Sequence, residues 1–168
     1  MIYFNCDYLE GGHPKILEKM LSTNMEQLTG YSTDHYCDSA RERIRQACGC
    51  PDADVHFLVG GTQTNLTAIA SILRPYQGVL AAHDGHIACH ETGAIEATGH
   101  KVLPIPCVDG KITADQVREF CHSHQTNTMR EHMVQPGMVY ISFPTEIGSL
   151  YTKKELKELS AAWMKYLP

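Results

Sequence analysis

The 168-residue chain has no apolar run approaching the roughly 20 residues that a membrane-spanning helix needs. Its opening, MIYFNCDYLEGG, lacks the basic stretch and apolar centre of a secretory signal. Cations are few and ungrouped: 14 Lys and Arg stand against 19 Asp and Glu, for a net charge of -5. That balance argues against a nucleic-acid partner, because phosphate backbones call for clustered Lys and Arg. No C-x-x-C pair occurs among the 7 cysteines, which excludes zinc-ribbon and thioredoxin-type sites. Cys6, Cys37, Cys48, Cys50, Cys89, Cys107 and Cys121 are scattered and odd in number, so reduced and mostly buried thiols are expected, with Cys48 as a small core residue. Repeats, low-complexity tracts and clear linkers are missing too. A cytoplasmic protein without a membrane or nucleic-acid partner is the expectation.

What is present is a globular balance, 43% hydrophobic and 20% charged. Ile16, Leu17, Met20, Leu21, Met25 and Leu28 recur at helical spacing, and Pro14 suits a first turn, so a helix is predicted over 14–28. Asp34 caps a second helix whose face carries Tyr36, Cys37, Ala40, Ile44 and Ala47, and Gly49 closes it. The rhythm then changes. Residues 55–59 read as a buried strand, Gly60-Gly61-Thr62 as a turn, and 64–73 as a helix ended by Pro75. Strands are predicted at 78–82, 101–106 and 138–143, the second with two prolines and hence at an edge or bent. A helix is predicted over 91–98, broken by Gly99. Thr113 with Gln116, and Thr152 with Glu155, are capping boxes that open two further helices.

Strands alternating with helices predict an α/β protein with a mostly parallel sheet and helices on both faces. A crossover helix normally leads to another parallel strand. The chain stops at Leu167-Pro168, where that strand is due, so an incomplete domain is expected.

Three segments carry chemistry, and all follow strands, so they should open on the ligand-binding edge. Gly60-Gly61-Thr62 leads into a helix, where glycines admit close approach and free N–H groups favour an anion, at a size that suits one phosphate. It is neither a Walker A loop nor G-x-G-x-x-G. The segment 82–91 brings His83, His86 and His90, of which one could cover an aromatic ligand or move a proton. Metal binding by these three histidines is a rival reading, but H-x-x-x-H alone is a weak pattern and no metal is expected. The third, Ser142 to Gly148, presents Thr145 and Glu146 in a loop at a strand end, with a solvated Glu146 as the plain alternative.

In order and spacing these segments resemble the threonine aldolase and β-eliminating lyase branch of the aspartate-aminotransferase-fold enzymes. Phe4-Asn5-Cys6-Asp7-Tyr8 with Gly12-His13-Pro14 is similar to the family opening F-x-S-D-N followed by G-x-H-P. Tyr31-Ser32-Thr33-Asp34 resembles its Y-G-x-D loop, and Gly61-Thr62-Gln63-Thr64-Asn65 its G-T-x-A-N segment. His86 with Glu91, then Gly93-Ala94, resembles H-x-x-x-x-E and its Gly-Ala pair. Asp109 to Thr113, and Thr145-Glu146-Ile147-Gly148 with Tyr151 and Glu155-Leu156, follow the family's later motifs.

The resemblance implies pyridoxal 5'-phosphate as cofactor, acting as an electron sink that lets a bond to Cα break. Gly61 and Thr62 would hold its phosphate, while His86 would stack on its ring and help handle the substrate's hydroxyl proton. Asn5, Asp7 and Tyr31 would border the substrate pocket. Glu146 falls where many members have a second active-site histidine, and Ser32 replaces a glycine. The implied reaction cleaves a β-hydroxy-α-amino acid to glycine and an aldehyde. The alternatives are β-elimination on another amino acid, or a non-catalytic fragment that binds phosphate or a partner subunit. On this view residues 1–14 form an N-terminal arm and 15–168 an incomplete large domain, which in complete form assembles as a homo-oligomer, a dimer or tetramer. The family's D-G-A-R strand and Schiff-base lysine would lie beyond Pro168, so inactivity of the chain alone is expected. Lys15, Lys19, Lys101, Lys111, Lys153, Lys154, Lys157 and Lys165 read as surface positions.

Overall fold

The computed structural model describes residues 1–6 and 8–166. It divides into two compact units, Met1–Phe57 and Leu58–Pro168. The expected arm, 1–14, falls within the first.

The first unit holds α1 (Pro14–Thr23) and α2 (His35–Cys48), and neither helix has a buried residue. Polar bonds, not a core, order it. Arg41 and Arg45 lie four apart on one face of α2. Arg41 donates to the carbonyls of Ser32 at 2.7 Å and Val55 at 3.3 Å, and Arg45 to that of Ala53 at 2.8 Å. Asp34 caps α2 by accepting from the N–H groups of Tyr36 and Cys37, and Gly49 ends it with φ 63°, as its sequence predicts. α1 is shorter than its apolar pattern. The hydroxyls of Ser22 and Thr23 both donate back to the Lys19 carbonyl, at 2.8 and 3.0 Å, competing with the ladder that would carry the helix on.

Residues 55–59 form no strand. A strand persists through ladder bonds to a neighbour, and among the described residues this segment has none; Val59 N–H donates instead to the Gln63 side chain at 2.8 Å.

The second unit is built on three parallel strands in the order β2-β1-β3: β1 (Gln77–Ala82), β2 (Lys101–Ile105) and β3 (Gln135–Val139). Between and around them run α3 (Gly61–Ile72), α4 (His86–Cys89), α5 (Ala114–Thr126) and α6 (Lys153–Met164). Every residue of central β1 is buried. Side chains alternate across it, as the pleat requires. Leu80 and Ala82 join Leu103 and Ile105 against Val117 and Cys121 of α5 and Leu159 and Ala162 of α6. Val79 and Ala81 face the other way, with Val102, onto Ile69 of α3 and Leu73 at its C-cap, together with Ile87 and Ile95. Helices therefore cover both faces, the predicted architecture, and both predicted capping boxes are formed.

Three boundaries differ from the sequence reading. α3 begins at Gly61, not Thr64, so Gly61 and Thr62 are helical. β3 begins at Gln135 and ends at Val139, ahead of the predicted 138–143. Its Pro136-Gly137 pair masks the start. Gly137 fits there because a Cβ would lie 2.8 Å from Gln77 Cβ, as well as 2.7 Å from the Leu73 Cδ2 methyl. No helix runs over 91–98, since Thr92 and Gly93 adopt φ 50° and 75°, leaving a single tight turn at Glu96–Thr98. The thiols also differ from expectation. All are free, but Cys121 alone is buried, whereas Cys48, Cys50 and Cys89 are exposed. Cys48 ends a helix of the unit whose helices bury nothing, so no core is there to receive it.

Gly78 marks the closest approach in the sheet. A Cβ there would meet the Lys101 carbonyl oxygen at 2.5 Å, and β1 cannot retreat from a backbone atom of β2 without breaking the ladder. Gly78→Ala should destabilise the second unit by about 1–3 kcal/mol, read as a lower thermal midpoint. A second expectation concerns acid. Glu155, in its capping box and against Lys111 Nζ at 3.1 Å, is held down to about 2 from the usual 4.5, mainly by the Thr152 hydrogen bonds. Its folded value is depressed, so its contribution is complete above pH 4.5 and fades as pH falls towards about 2. Melting curves of the native chain and Glu155→Gln should converge over that window.

Candidate functional site

Because all three strands are parallel, the segments that follow them leave the sheet at one edge. After β1 come the turn at His83-Asp84-Gly85 and then His86, the first residue of α4. After β3 come Tyr140 and Ser142. The two runs meet where the His86 backbone N–H donates to Ser142 Oγ at 3.2 Å.

The side chain of His86 is fixed from below. Its Nδ1 lies 2.9 Å from Glu91 Oε1, and the same oxygen accepts from Asn65 Nδ2 at 2.6 Å. The Glu91 side chain is wholly buried, while that of His86 is 41% exposed. A carboxylate only accepts, so Nδ1 donates to it, and in the neutral ring Nε2 is then the nitrogen with the lone pair. Glu91 Oε2 is buried and has no hydrogen-bond partner among the described residues. Burial pushes the Tyr140 phenol up, and the charges of Glu91 and Glu146 add to it. Tyr140 Oη lies 3.5 Å from Asn65 Nδ2, a marginal contact.

Asn65 is one turn into α3, and the start of that helix is bare. Gly60, the N-cap, is extended and supplies no side-chain bond. Thr64 N–H is the first to close back, on the Gly60 carbonyl at 3.0 Å. The N–H groups of Gly61, Thr62 and Gln63 at the first turn have no intrahelical acceptor, and the helix dipole adds positive potential there. A Cβ at Gly60 or Gly61 would meet nothing within 4 Å, so the approach is open. A concavity of about 690 Å³ lined by Ile105, Phe120 and His124 shares none of these residues.

Of the residues singled out from sequence, Gly61, Thr62 and His86 are thus brought into one neighbourhood through Asn65 and Glu91. Glu146 is exposed and makes no hydrogen bond among the described residues, yet its charge is felt at Tyr140. Asn5 and Tyr31 are exposed in the first unit, and Tyr31 and Ser32 have φ 60° and 59°. The position where the resembled pattern carries glycine therefore uses a backbone that favours glycine. Asp7 lies outside the described residues. Among the described residues the ligand atoms that converge on His83 are those of Asp84 and Cys107, not those of His86 and His90. Sequence reasoning gave no role to Asn65, Glu91 or Ser142. The spacing of Glu91 from His86 was visible in the motif, but the burial that gives the carboxylate its force was not.

The parallel sheet with helices on both faces matches the fold of a solved threonine aldolase, an aspartate-aminotransferase-type fold. The chain belongs to the β-eliminating lyase family, whose model matches residues 4–166. A low-specificity L-threonine aldolase from a Pseudomonas species is 30% identical over 160 residues, covering 94% of this chain and 45% of the relative. A protein of the same description from Pseudomonas aeruginosa is 29% identical over the same shares. The solved threonine aldolase of Leishmania major superposes with a TM-score of 0.88 at 49% identity, over 95% of this chain and 46% of that one. The chain thus spans less than half the length of these relatives.

Glu91→Ala would strip Asn65 and His86 of their common acceptor. It should cost about 1–3 kcal/mol in thermal or urea unfolding, whereas Glu146→Ala, removing an exposed side chain, should stay within about 0.5 kcal/mol.

Proposed function

We propose that this chain serves the threonine-aldolase reaction, cleavage of a β-hydroxy-α-amino acid to glycine and an aldehyde, by binding pyridoxal 5'-phosphate between the start of α3 and His86. The observation that carries the reading is the Asn65–Glu91–His86 bridge, which ties an open helix N-terminus to an oriented imidazole. The cofactor, when bound, supplies an electron sink for the Cα–Cβ bond. The chain's own groups do the rest. The N–H groups of Gly61 and Thr62 bind the phosphate dianion. The His86 ring covers the cofactor's ring, and its Nε2 lone pair accepts the proton of the substrate's β-hydroxyl. Glu91 holds the ring in the tautomer that permits this. Glu146 stands in the second-histidine position as a carboxylate, and Asn5, Asp7 and Tyr31 border the substrate.

The lysines support a division of labour. Lys101 begins β2, at the opposite edge from His86; Lys111 pairs with Glu155; Lys153, Lys154 and Lys157 are on α6. Lys15 and Lys19 are on α1, in the first unit. Lys165 follows α6. None of these takes part in the bridge, which supports the reading that no lysine of this chain forms the Schiff base and that the chain alone is inactive. The exposed stripe of Ile16, Leu17, Met20 and Leu21 on α1 supports a homo-oligomer in the complete enzyme. No described helix is long and apolar enough to cross a membrane, and the cytoplasm is the proposed compartment.

The test uses pyridoxine 5'-phosphate, which has no aldehyde to react with surface lysines, against pyridoxine. Calorimetry should show the phosphorylated form binding at least about tenfold tighter, equivalent to about 1.4 kcal/mol. Gly61→Asp has room for its side chain and favours the helix, but places a carboxylate on the phosphate position, so it should erase the preference without unfolding the chain. Equal binding of the two vitamers by the native chain would refute the phosphate cradle. Glycine release from L-threonine by the native chain with added cofactor would refute the assignment of the lysine elsewhere.

A further inference from the structure

Outside the bridge, one group of ligand-type side chains converges. We propose that His83, Asp84 and Cys107 form a binding site for a divalent transition-metal cation of the zinc class, independent of the cofactor reading. Cys107 Sγ lies 3.0 Å from Asp84 Oδ1 and 3.4 Å from His83 Nδ1, and one ligand atom from each residue falls within 4.8 Å of the others. Zinc bonds of about 2.0–2.3 Å to N, O and S place tetrahedral ligands about 3.3–3.8 Å apart, so the observed spacing needs only small side-chain adjustment. Thiolate, imidazole and carboxylate together match a borderline-soft cation and not calcium or magnesium, which take oxygen ligands.

The backbone holds the three in place. Ala82 pairs with Ile105 in the β1–β2 ladder, and His83 N–H donates to the Ile105 carbonyl at 2.9 Å, so the ends of both strands are in fixed register. Gly85 N–H closes on the Ala82 carbonyl at 2.9 Å, which makes His83 and Asp84 the two central residues of a tight turn. Cys107 follows two residues after β2. No Lys or Arg pairs with Asp84 among the described residues, which leaves its charge for a cation. On binding, the Cys107 S–H proton leaves to solvent and a metal–sulfur bond forms. A dication bound by one carboxylate, one thiolate and one imidazole carries no net charge. His83 is exposed, so the fourth position opens to water, the arrangement of sites with three protein ligands.

The reduced full chain is titrated with cobalt(II) chloride and then zinc(II) chloride. One equivalent of cobalt should give a thiolate-to-metal charge-transfer band in the near ultraviolet, and one equivalent of zinc should remove it. Cys107→Ser should abolish the band and weaken zinc more than tenfold. Asp84→Asn should weaken zinc about tenfold, and Cys48→Ser should leave both unchanged. Circular dichroism confirms that each variant is folded. The proposal is overturned if the native chain gives no such band at stoichiometric cobalt, or if the band survives in Cys107→Ser; the cluster is then a hydrogen-bonded turn and nothing more.

Discussion

The candidate site depends on one buried carboxylate. Glu91 draws a helix, a one-turn segment and an imidazole to a single oxygen, and it does so with no exposed surface of its own. A buried charge without partners is strongly disfavoured, whereas one that accepts from two donors is tolerated and specifies their geometry. That demand fixes the rotamer of Asn65 and the tautomer of His86 together. Glu91 Oε2 has no hydrogen-bond partner among the described residues.

The sheet turns that local demand into a site. Central β1 is buried along its whole length, with its side chains alternating between two helical layers. Slipping by one residue would exchange the layers, so the segments leaving the strand ends are set by the same packing that holds the core. The first unit follows another logic. Its helices bury nothing, and Arg41 and Arg45 gather loop carbonyls in place of apolar side chains.

Much of this was legible in the residues. The α/β order, both capping boxes, the Asp34 and Gly49 ends of α2, and the strand before His83 all follow from local chemistry that tertiary structure left intact. The failures share a cause. Residues 55–59 have strand composition, but strands exist only in pairs, and composition does not name a partner. The Pro136-Gly137 pair looked like an interruption because the packing that demands a glycine, Leu73 and Gln77 from elsewhere in the chain, is non-local. Thr92 at φ 50° gave no warning, since a threonine in that conformation is uncommon. Within the candidate site, Gly61, Thr62 and His86 were readable from motif, while the roles of Asn65 and Glu91 and the His83, Asp84 and Cys107 grouping depended on tertiary contacts.

Both outer strands of the described sheet carry a proline, Pro104 in β2 and Pro136 in β3. An outer strand is a template on which another chain can dock by backbone pairing, and a residue with no N–H interrupts the row of donors such docking requires. The composition that obscured these strands in the sequence therefore leaves each outer edge of the described sheet with one missing donor.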